Sequence, residues 1–240
     1  MGCNCAFGSR LRSAGLRAVP ERTAYLDYAA TTPPDPRVLG AFDRCCRRAW
    51  GNPSSLHPRG LEAASSLESS RERMAGAFRC DPAGLRFCAS GTEALQAALL
   101  GFARRRPSAA FVSTGAEHAA LAHPLRLLAG LGRTVLRCPL DAEGRMDSGA
   151  LDRILSDHPG ALLAYAPVNH ETGTVQRCAE LYAIARRRGC EVLLDAVQAA
   201  PRLGADEWAP YGDAFALSAH KFYAPKGTGA LWVRPGLPLG

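Results

Sequence analysis

The sequence predicts an α/β protein built as a three-layer sandwich, with a mostly parallel seven-stranded sheet between two layers of helices. Seven short apolar runs of strand length follow one another along the chain, and amphipathic helical patterns separate several of them. Strands that are apolar on both faces and alternate with helices are typical of a parallel sheet covered on both sides.

Each element has its own signal in the sequence. Asp35 and Pro36 predict the start of a helix over 36–50, and an apolar stripe predicts a second helix over 59–78 with Leu61, Ala64, Leu67, Met74 and Phe78 on one face. The predicted strands are 85–88, 109–113, 134–138, 161–166, 192–194, 214–217 and 230–233. The further predicted helices are 93–105, 119–131, 148–156 and 179–188, the last closed by Gly189.

Composition excludes several classes of protein. The chain has 240 residues, 47% hydrophobic and 21% charged, which is ordinary for a globular domain, and it has no apolar stretch of the roughly 20 residues that a membrane helix needs. The net charge of +7 comes from dispersed arginines without interleaved aromatic residues, so we expect a solvated surface, no nucleic-acid partner and no membrane partner. The nine cysteines show no zinc-ligand spacing, so we expect no metal and a reducing compartment.

The first residues differ from the rest. Residues 1–20 carry arginines at 10, 12 and 17, no acid, and scattered glycines and serines, so we expect residues 1–24 to be a disordered or targeting extension. A transit peptide over residues 1–20 would place the protein in mitochondria, and otherwise we expect it in the cytoplasm. Residues 25–240 are then one large domain.

Lysine is nearly absent from this chain. The only two, Lys221 and Lys226, lie in one ten-residue stretch, whereas the other 27 of the 29 basic residues are arginine. A desolvated lysine amine forms Schiff bases, which arginine cannot do because it keeps its proton. Lys221 follows a predicted buried strand, where open α/β sheets bind ligands, so it is the candidate nucleophile. Lys226 lies in a turn between Pro225 and Gly227 and has the character of a surface residue.

Polar side chains follow several of the predicted strands. Gly91 and Thr92 come after the first strand and open a helix, which predicts an anion site at the helix start. His118 follows the second strand, and Asp195 directly continues the fifth, where a carboxylate needs a cation, donors or a capping role. A phosphate cradle, an aromatic platform, an acid for a ring nitrogen and a Schiff-base lysine together indicate a pyridoxal phosphate site.

With these motifs the chain resembles the cysteine desulfurases, the class V branch of the fold-type I pyridoxal phosphate enzymes. The matching segments keep the family's order over almost the whole chain. They are YLDYAATTP at 25–33, GNPSS at 51–55, GTEA at 91–94, EH at 117–118, NHETG at 169–173, DAVQ at 195–198 and SAHKFYAPKG at 218–227.

The resemblance implies a role for each candidate residue. Lys221 would bind pyridoxal 5'-phosphate as a Schiff base and move the substrate's α-proton, and His118 would stack on the ring and assist proton transfer. Asp195 would pair with the ring nitrogen, and Gln198 would donate to the phenolic oxygen. The remaining cofactor contacts would come from Gly91, Thr92, His170, Ser218 and His220.

The implied reaction removes sulfur from L-cysteine, leaves L-alanine and stores the sulfur as a persulfide on an enzyme cysteine. A sulfur-acceptor protein and a homodimer are the implied partners. Family members continue well beyond the lysine, whereas this chain has 19 residues after Lys221. We therefore expect a fold-type I large domain that lacks most of the small domain and the cysteine loop, with residues 25–35 belonging to the small domain or the active-site entrance.

Two other features leave the reaction open. His170 stands where many relatives have asparagine, and Ser90 replaces a common glycine. The alternatives are a selenocysteine lyase, another class V lyase or transaminase, or a non-catalytic cofactor-binding remnant.

Overall fold

The computed structural model describes residues 24–238, and it contains one mixed sheet of seven strands. The strands are β1 (Leu85–Cys88), β2 (Phe111–Ser113), β3 (Val135–Arg137), β4 (Leu162–Tyr165), β5 (Glu191–Asp195), β6 (Ala214–Ser218) and β7 (Gly229–Val233). Their order across the sheet is β1-β7-β6-β5-β4-β2-β3. Only β7 runs against its neighbours, and the pairs from β6 to β3 are parallel. The predicted fold class is confirmed.

Helices occupy the predicted positions. They are α1 (Pro36–Arg48), α2 (Pro58–Ala77), α3 (Gly91–Arg105), α4 (Ala119–Gly130), α5 (Ser148–Asp157) and α6 (Cys178–Arg187). Asp35 caps α1 through a hydrogen bond from the Arg37 amide, with Pro36 in the first turn as predicted. None of the described helices is both long and apolar enough to cross a bilayer.

The sheet separates two hydrophobic cores, because successive side chains of a strand point to opposite faces. In β4, Leu162 and Ala164 pack in one core with α3 and α4, and Leu163 and Tyr165 pack in the other with α5 and α6. All four residues are buried. This burial on both faces explains why the strands are continuously apolar in sequence.

The structure corrects the predicted face of α2. The prediction placed Leu61 and Leu67 on the buried side, but they are 55% and 39% exposed. The helix instead buries Gly60, Ala63 and Ala75, and only Met74 and Phe78 of the predicted stripe pack against the core. Small residues are buried here because the helix approaches backbone closely: the carbonyl oxygen of Ser55 lies where a side chain on Gly60 would begin.

The three consecutive arginines at 104–106 are not all part of a solvated surface. Arg105, in the last turn of α3, forms a bidentate ion pair with the buried Glu191 at 2.7 and 2.5 Å. A buried carboxylate is tolerated when it is paired in this way. The surface interpretation is therefore wrong for Arg105.

Gly229, the first residue of β7, has no room for a side chain. A Cβ on Gly229 would lie 2.5 Å from the Ser90 carbonyl carbon and 2.9 Å from the Leu217 oxygen, and both of these are backbone atoms. We expect Gly229→Ala to lower the free energy of unfolding by about 1–3 kcal/mol through overpacking. Urea unfolding of the purified chain measures this.

Gly76 in α2 is the matched control, because nothing lies within 4 Å of the position that a Cβ would take there. Gly76→Ala should raise stability by about 0.4–1 kcal/mol. Equal effects of the two substitutions would contradict the close backbone approach at Gly229.

Candidate active site

A pocket of about 280 Å³ opens at the edge of the sheet where the parallel strands end. It brings together every residue that the sequence placed in the site. These are Gly91, Thr92, His118, His170, Asp195, Gln198, Ser218, His220 and Lys221. Their roles remain predictions, but their convergence is a property of the fold.

The fold delivers these residues from separate elements. Asp195 and Ser218 are the last residues of β5 and β6, and a short 3-10 turn (Ala219–Lys221) carries the lysine away from β6. Gly91 opens α3, and His118 caps α4. Because β5 and β6 are parallel neighbours, their carboxyl ends meet at one edge.

Lys221 is half-buried, and its amine faces a backbone segment from the start of the chain. Nζ donates to the carbonyl oxygens of Ala29 at 2.6 Å and Ala30 at 2.8 Å. Burial lowers the pKa of Lys221, and the positive charge of Arg202 lowers it further. Lys226 is exposed and lies outside the pocket lining. The environment therefore shifts the Lys221 amine toward its neutral, nucleophilic form.

Asp195 is 5% exposed and has no ion-pair partner within the described chain. Its Oδ1 accepts one hydrogen bond, from the Val197 amide at 3.2 Å, in a turn rather than at a helix start. Desolvation raises the pKa of Asp195, although His118 and Lys221 favour its charged form. A helix-capping role is thus excluded, and the carboxylate is available to a cationic group in the pocket.

The start of α3 forms a cradle beside Ser218. A side chain at Gly91 would meet Val197 Cγ2 at 2.7 Å and Ser218 Cβ at 3.2 Å, so only glycine leaves this space open. Ser90 caps the helix by accepting from the Glu93 amide at 3.1 Å. The first amides of a helix carry partial positive charge and lack helical acceptors, which suits a phosphate.

Two histidine rings form one wall of the pocket. The rings of His118 and His170 meet edge to face with centroids 4.9 Å apart. His118 Nδ1 accepts the Ala120 amide at 3.1 Å, which places the proton of the neutral ring on Nε2. Burial and the neighbouring His118 lower the pKa of His170. The lowered pKa of His170 favours its neutral form, which suits stacking and proton exchange.

Sequence reasoning missed the chemical part played by residues 27–32, here called the strap. Its Ala29 oxygen accepts from Gln198 Nε2 at 2.9 Å as well as from Lys221. Thr32 donates through its amide and hydroxyl to the His220 oxygen, at 2.9 and 3.0 Å. The motif at 25–33 marks this segment, but its contacts come from backbone carbonyls and two threonines, so the motif does not reveal which atoms make them.

Arg202 was also missed. It lines a second cavity of about 320 Å³ that shares His170 and Gln198 with the main pocket. Its guanidinium donates to the backbone carbonyl oxygen of Gln198 at 3.2 Å.

Cysteines and metal ligands do not contribute to the described site. Of the seven cysteines within residues 24–238, none lines the pocket. Over the same residues, no three His, Cys, Asp or Glu side chains are grouped as metal ligands.

The position of Arg202 predicts a measurable effect on Lys221. Replacing Arg202 by glutamine removes a positive charge that disfavours the ammonium form, so the pKa of Lys221 should rise. Competitive acetylation across a pH series, followed by peptide mass spectrometry, measures this at the two lysines separately. Lys226 is the internal control, and its labelling profile should be the same in both proteins. A Lys221 profile that does not move would contradict the coupling.

Comparison with known proteins places this site in a family. The sequence model of the aminotransferase class-V family matches residues 24–238. The chain is similar to the cysteine desulfurase IscS of Dictyoglomus turgidum, with 34% identity over 91% of this chain and 56% of the relative. Among solved structures it is similar to a NifS-like protein, with a TM-score of 0.86, 29% identity and coverage of 90% of this chain and 60% of the other.

A second solved structure, described as SspA in complex with cysteine, has a TM-score of 0.81 and 28% identity over 89% of this chain and 62% of the other. The chain spans just over half the length of the relatives that it matches. These matches confirm the resemblance that the sequence motifs predict, and the chain belongs to the aminotransferase class-V family.

Proposed function

We propose that the chain forms the cofactor-binding part of a pyridoxal phosphate-dependent cysteine desulfurase. The observation that carries this proposal is the convergence of Lys221, Asp195 and the start of α3 on one pocket. The reaction would convert L-cysteine to L-alanine and pass the sulfur to an enzyme cysteine as a persulfide. Iron–sulfur cluster assembly is a use of such sulfur.

The described residues fit the cofactor of this family. Asp195 is a buried carboxylate without an ion-pair partner in the described residues, and a protonated pyridine nitrogen is the partner that it lacks. The glycine at the start of α3 leaves room beside amides that suit a phosphate. The cavity volume of about 280 Å³ is close to the lower end for small-molecule sites. When bound, pyridoxal 5'-phosphate supplies an electron sink for a carbanion.

Lys221 and Asp195 would have separate roles in the reaction. Lys221 Nζ would bind the cofactor covalently and later carry the α-proton of the substrate, and the lowered pKa of Lys221 favours both tasks. Asp195 would hold a proton on the ring nitrogen, and burial strengthens that charge-assisted hydrogen bond.

The other predicted contacts surround this pair. His118 would stack on the ring, with His170 beside it, and Gly91, Thr92, Ser218 and His220 would hold the phosphate. Gln198 would donate to the phenolic oxygen. In the structure its amide donates to the Ala29 oxygen, so this role needs the amide to turn away from the strap.

Substrate, partners and compartment are part of the proposal. The cysteine named in the description of the SspA structure supports L-cysteine as the substrate class. A homodimer and a sulfur-acceptor protein complete the assembly. The proposed compartment is the cytoplasm, or the mitochondrion if residues 1–20, which lie outside the described residues, are a transit peptide.

One observation supports a second candidate, a cofactor-binding remnant without desulfurase turnover: none of the described cysteines lines the pocket. Incubating the cofactor-loaded chain with L-cysteine and measuring alanine and sulfide separates the two. Selenocysteine or other amino acids, assayed in parallel, test for a selenocysteine lyase or another class V lyase or transaminase.

The two lysines give a direct test of cofactor attachment. Reduction of the cofactor-loaded chain with borohydride should leave a stable adduct on Lys221, detected by peptide mapping, because its amine is desolvated and lines the pocket. Lys221→Ala should abolish the adduct, and Lys226→Ala should leave it intact. An adduct that survives Lys221→Ala would show that the wrong amine was chosen.

Replacing Asp195 by asparagine should weaken cofactor binding without lowering the stability of the cofactor-free chain. Asp195→Asn should raise the Kd for pyridoxal 5'-phosphate about 10- to 100-fold, because a hydrogen bond to a charged group contributes about 1.5–3 kcal/mol. Titration of the cofactor's visible absorbance measures the Kd.

The cofactor-free variant should be at least as stable as the parent at pH 7. Burial raises the pKa of Asp195, so the parent loses stability as pH rises from the ordinary carboxyl range through that raised pKa, and the asparagine variant does not. Unfolding of the cofactor-free asparagine variant at pH 7 under conditions where the parent is folded would contradict this assignment.

A further inference from the structure

Glu117 is a half-buried acid beside the pocket that the proposed chemistry does not use. It precedes His118 in the loop between β2 and α4. Its Oε1 accepts from the Thr114 hydroxyl at 2.6 Å, and its Oε2 accepts from the Ala166 amide at 3.0 Å. Thr114 and Ala166 directly follow the parallel neighbours β2 and β4. One carboxyl group therefore ties together two loops at the carboxyl edge of the sheet.

These two loops carry the two histidines of the pocket wall. His118 follows Glu117 directly, and His170 lies four residues after Ala166. Within residues 24–238 one other side-chain bond joins the loops, from Asn169 Nδ2 to the Ala116 oxygen at 2.9 Å. The edge-to-face contact of the rings, at 4.9 Å between centroids, depends on how these loops are held. Glu117 supplies the link next to His118.

Because His118 is predicted to stack on the cofactor, we propose that Glu117 is a positioning residue that fixes the His118 ring against His170 through its bonds to Thr114 and Ala166. The expected effect of Glu117 on cofactor binding rests on the proposed function. The placement of the His118 and His170 rings by Glu117 is independent of it.

The two hydrogen bonds of Glu117, to Thr114 and Ala166, can form whether or not its carboxyl group is charged. Burial raises the pKa of Glu117 to about 7, with the Thr114 hydrogen bond opposing the shift and the nearby charge of Asp195 adding to it. In the charged form both carboxyl oxygens accept. In the neutral form the proton lies on Oε1 and donates to the Thr114 hydroxyl, while Oε2 still accepts from Ala166. Thr114 already accepts from the Ala116 amide, which keeps its oxygen in place.

The same reasoning selects the variants. Glu117→Gln reproduces the neutral form, since its amide nitrogen donates to Thr114 and its oxygen accepts from Ala166. Glu117→Met keeps a side chain of similar length but offers no strong acceptor, which leaves the Ala166 amide without a partner. Asp147→Ala is the matched control. It removes a carboxylate that accepts one backbone amide, from Ala150 at 2.8 Å, at the start of α5 and outside the pocket lining.

The first measurement uses the cofactor-free full chain. We expect a nuclear Overhauser contact between the ring protons of His118 and His170 in the parent, in Glu117→Gln and in Asp147→Ala, and its loss in Glu117→Met. Persistence of the contact in Glu117→Met overturns the proposal, as does its loss in Glu117→Gln. Should the methionine variant not fold, Thr114→Val removes the Oε1 contact and the acceptor of the Ala116 amide but leaves the bond from the Ala166 amide, and it should weaken the same signal.

The second measurement is the Kd for pyridoxal 5'-phosphate. We expect a rise of about tenfold in Glu117→Met, the size associated with one unmade buried hydrogen bond, and parent-like values in the glutamine and control variants. Loss of the ring contact without a change in Kd overturns the positioning role. A parent protein that shows the ring contact but binds no cofactor refutes the proposed function and leaves the placement of the rings by Glu117 supported.

Discussion

Burying a carboxylate costs free energy, and the two edges of the sheet meet this cost differently. At the amino edge, Glu191 is neutralised by Arg105 at 2.7 Å, and the buried Asp213 has Arg234 at 3.1 Å. At the carboxyl edge, Asp195 and Glu117 have no ion-pair partner in the described structure, and burial raises the pKa of each. The same sheet thus pairs its acids with arginine at one edge and leaves them without a cationic partner among the described residues at the other.

The strap connects the start of the chain to this carboxyl edge. Helix α1 has no buried residue, and hydrogen bonds between the strap and His220, Lys221 and Gln198 join the segment before it to this edge. The Ala29 oxygen accepts from both Lys221 and Gln198, the residues predicted to bind the cofactor and its phenolic oxygen. If Lys221 binds the cofactor as proposed, its nitrogen would keep at most one N–H in place of the donors that now reach two carbonyl oxygens. The proposed attachment would therefore weaken the anchoring of the strap.

Much of this architecture could be predicted because its signals are local. Continuous apolar runs located all seven strands, and the polar residues directly after them located the pocket, since parallel strands end at a common edge. The buried face of α2 could not be predicted, because close backbone contact selects Gly60 and Ala63 over Leu61. The strap was missed because backbone carbonyls have no sequence signature, and Arg202 and Glu191 because their significance depends on distant partners.

The electrostatics of the pocket bear on why a lysine stands at position 221 in a chain that otherwise uses arginine. Within residues 24–238, no arginine lines the cavity that contains Asp195. A guanidinium there would hold its proton permanently and would occupy the carboxylate that a ring nitrogen needs. Lysine at position 221 is different, because burial and the charge of Arg202 lower its pKa. In the proposed function arginine could not replace it, since only the weaker base can lose its proton and act as a nucleophile.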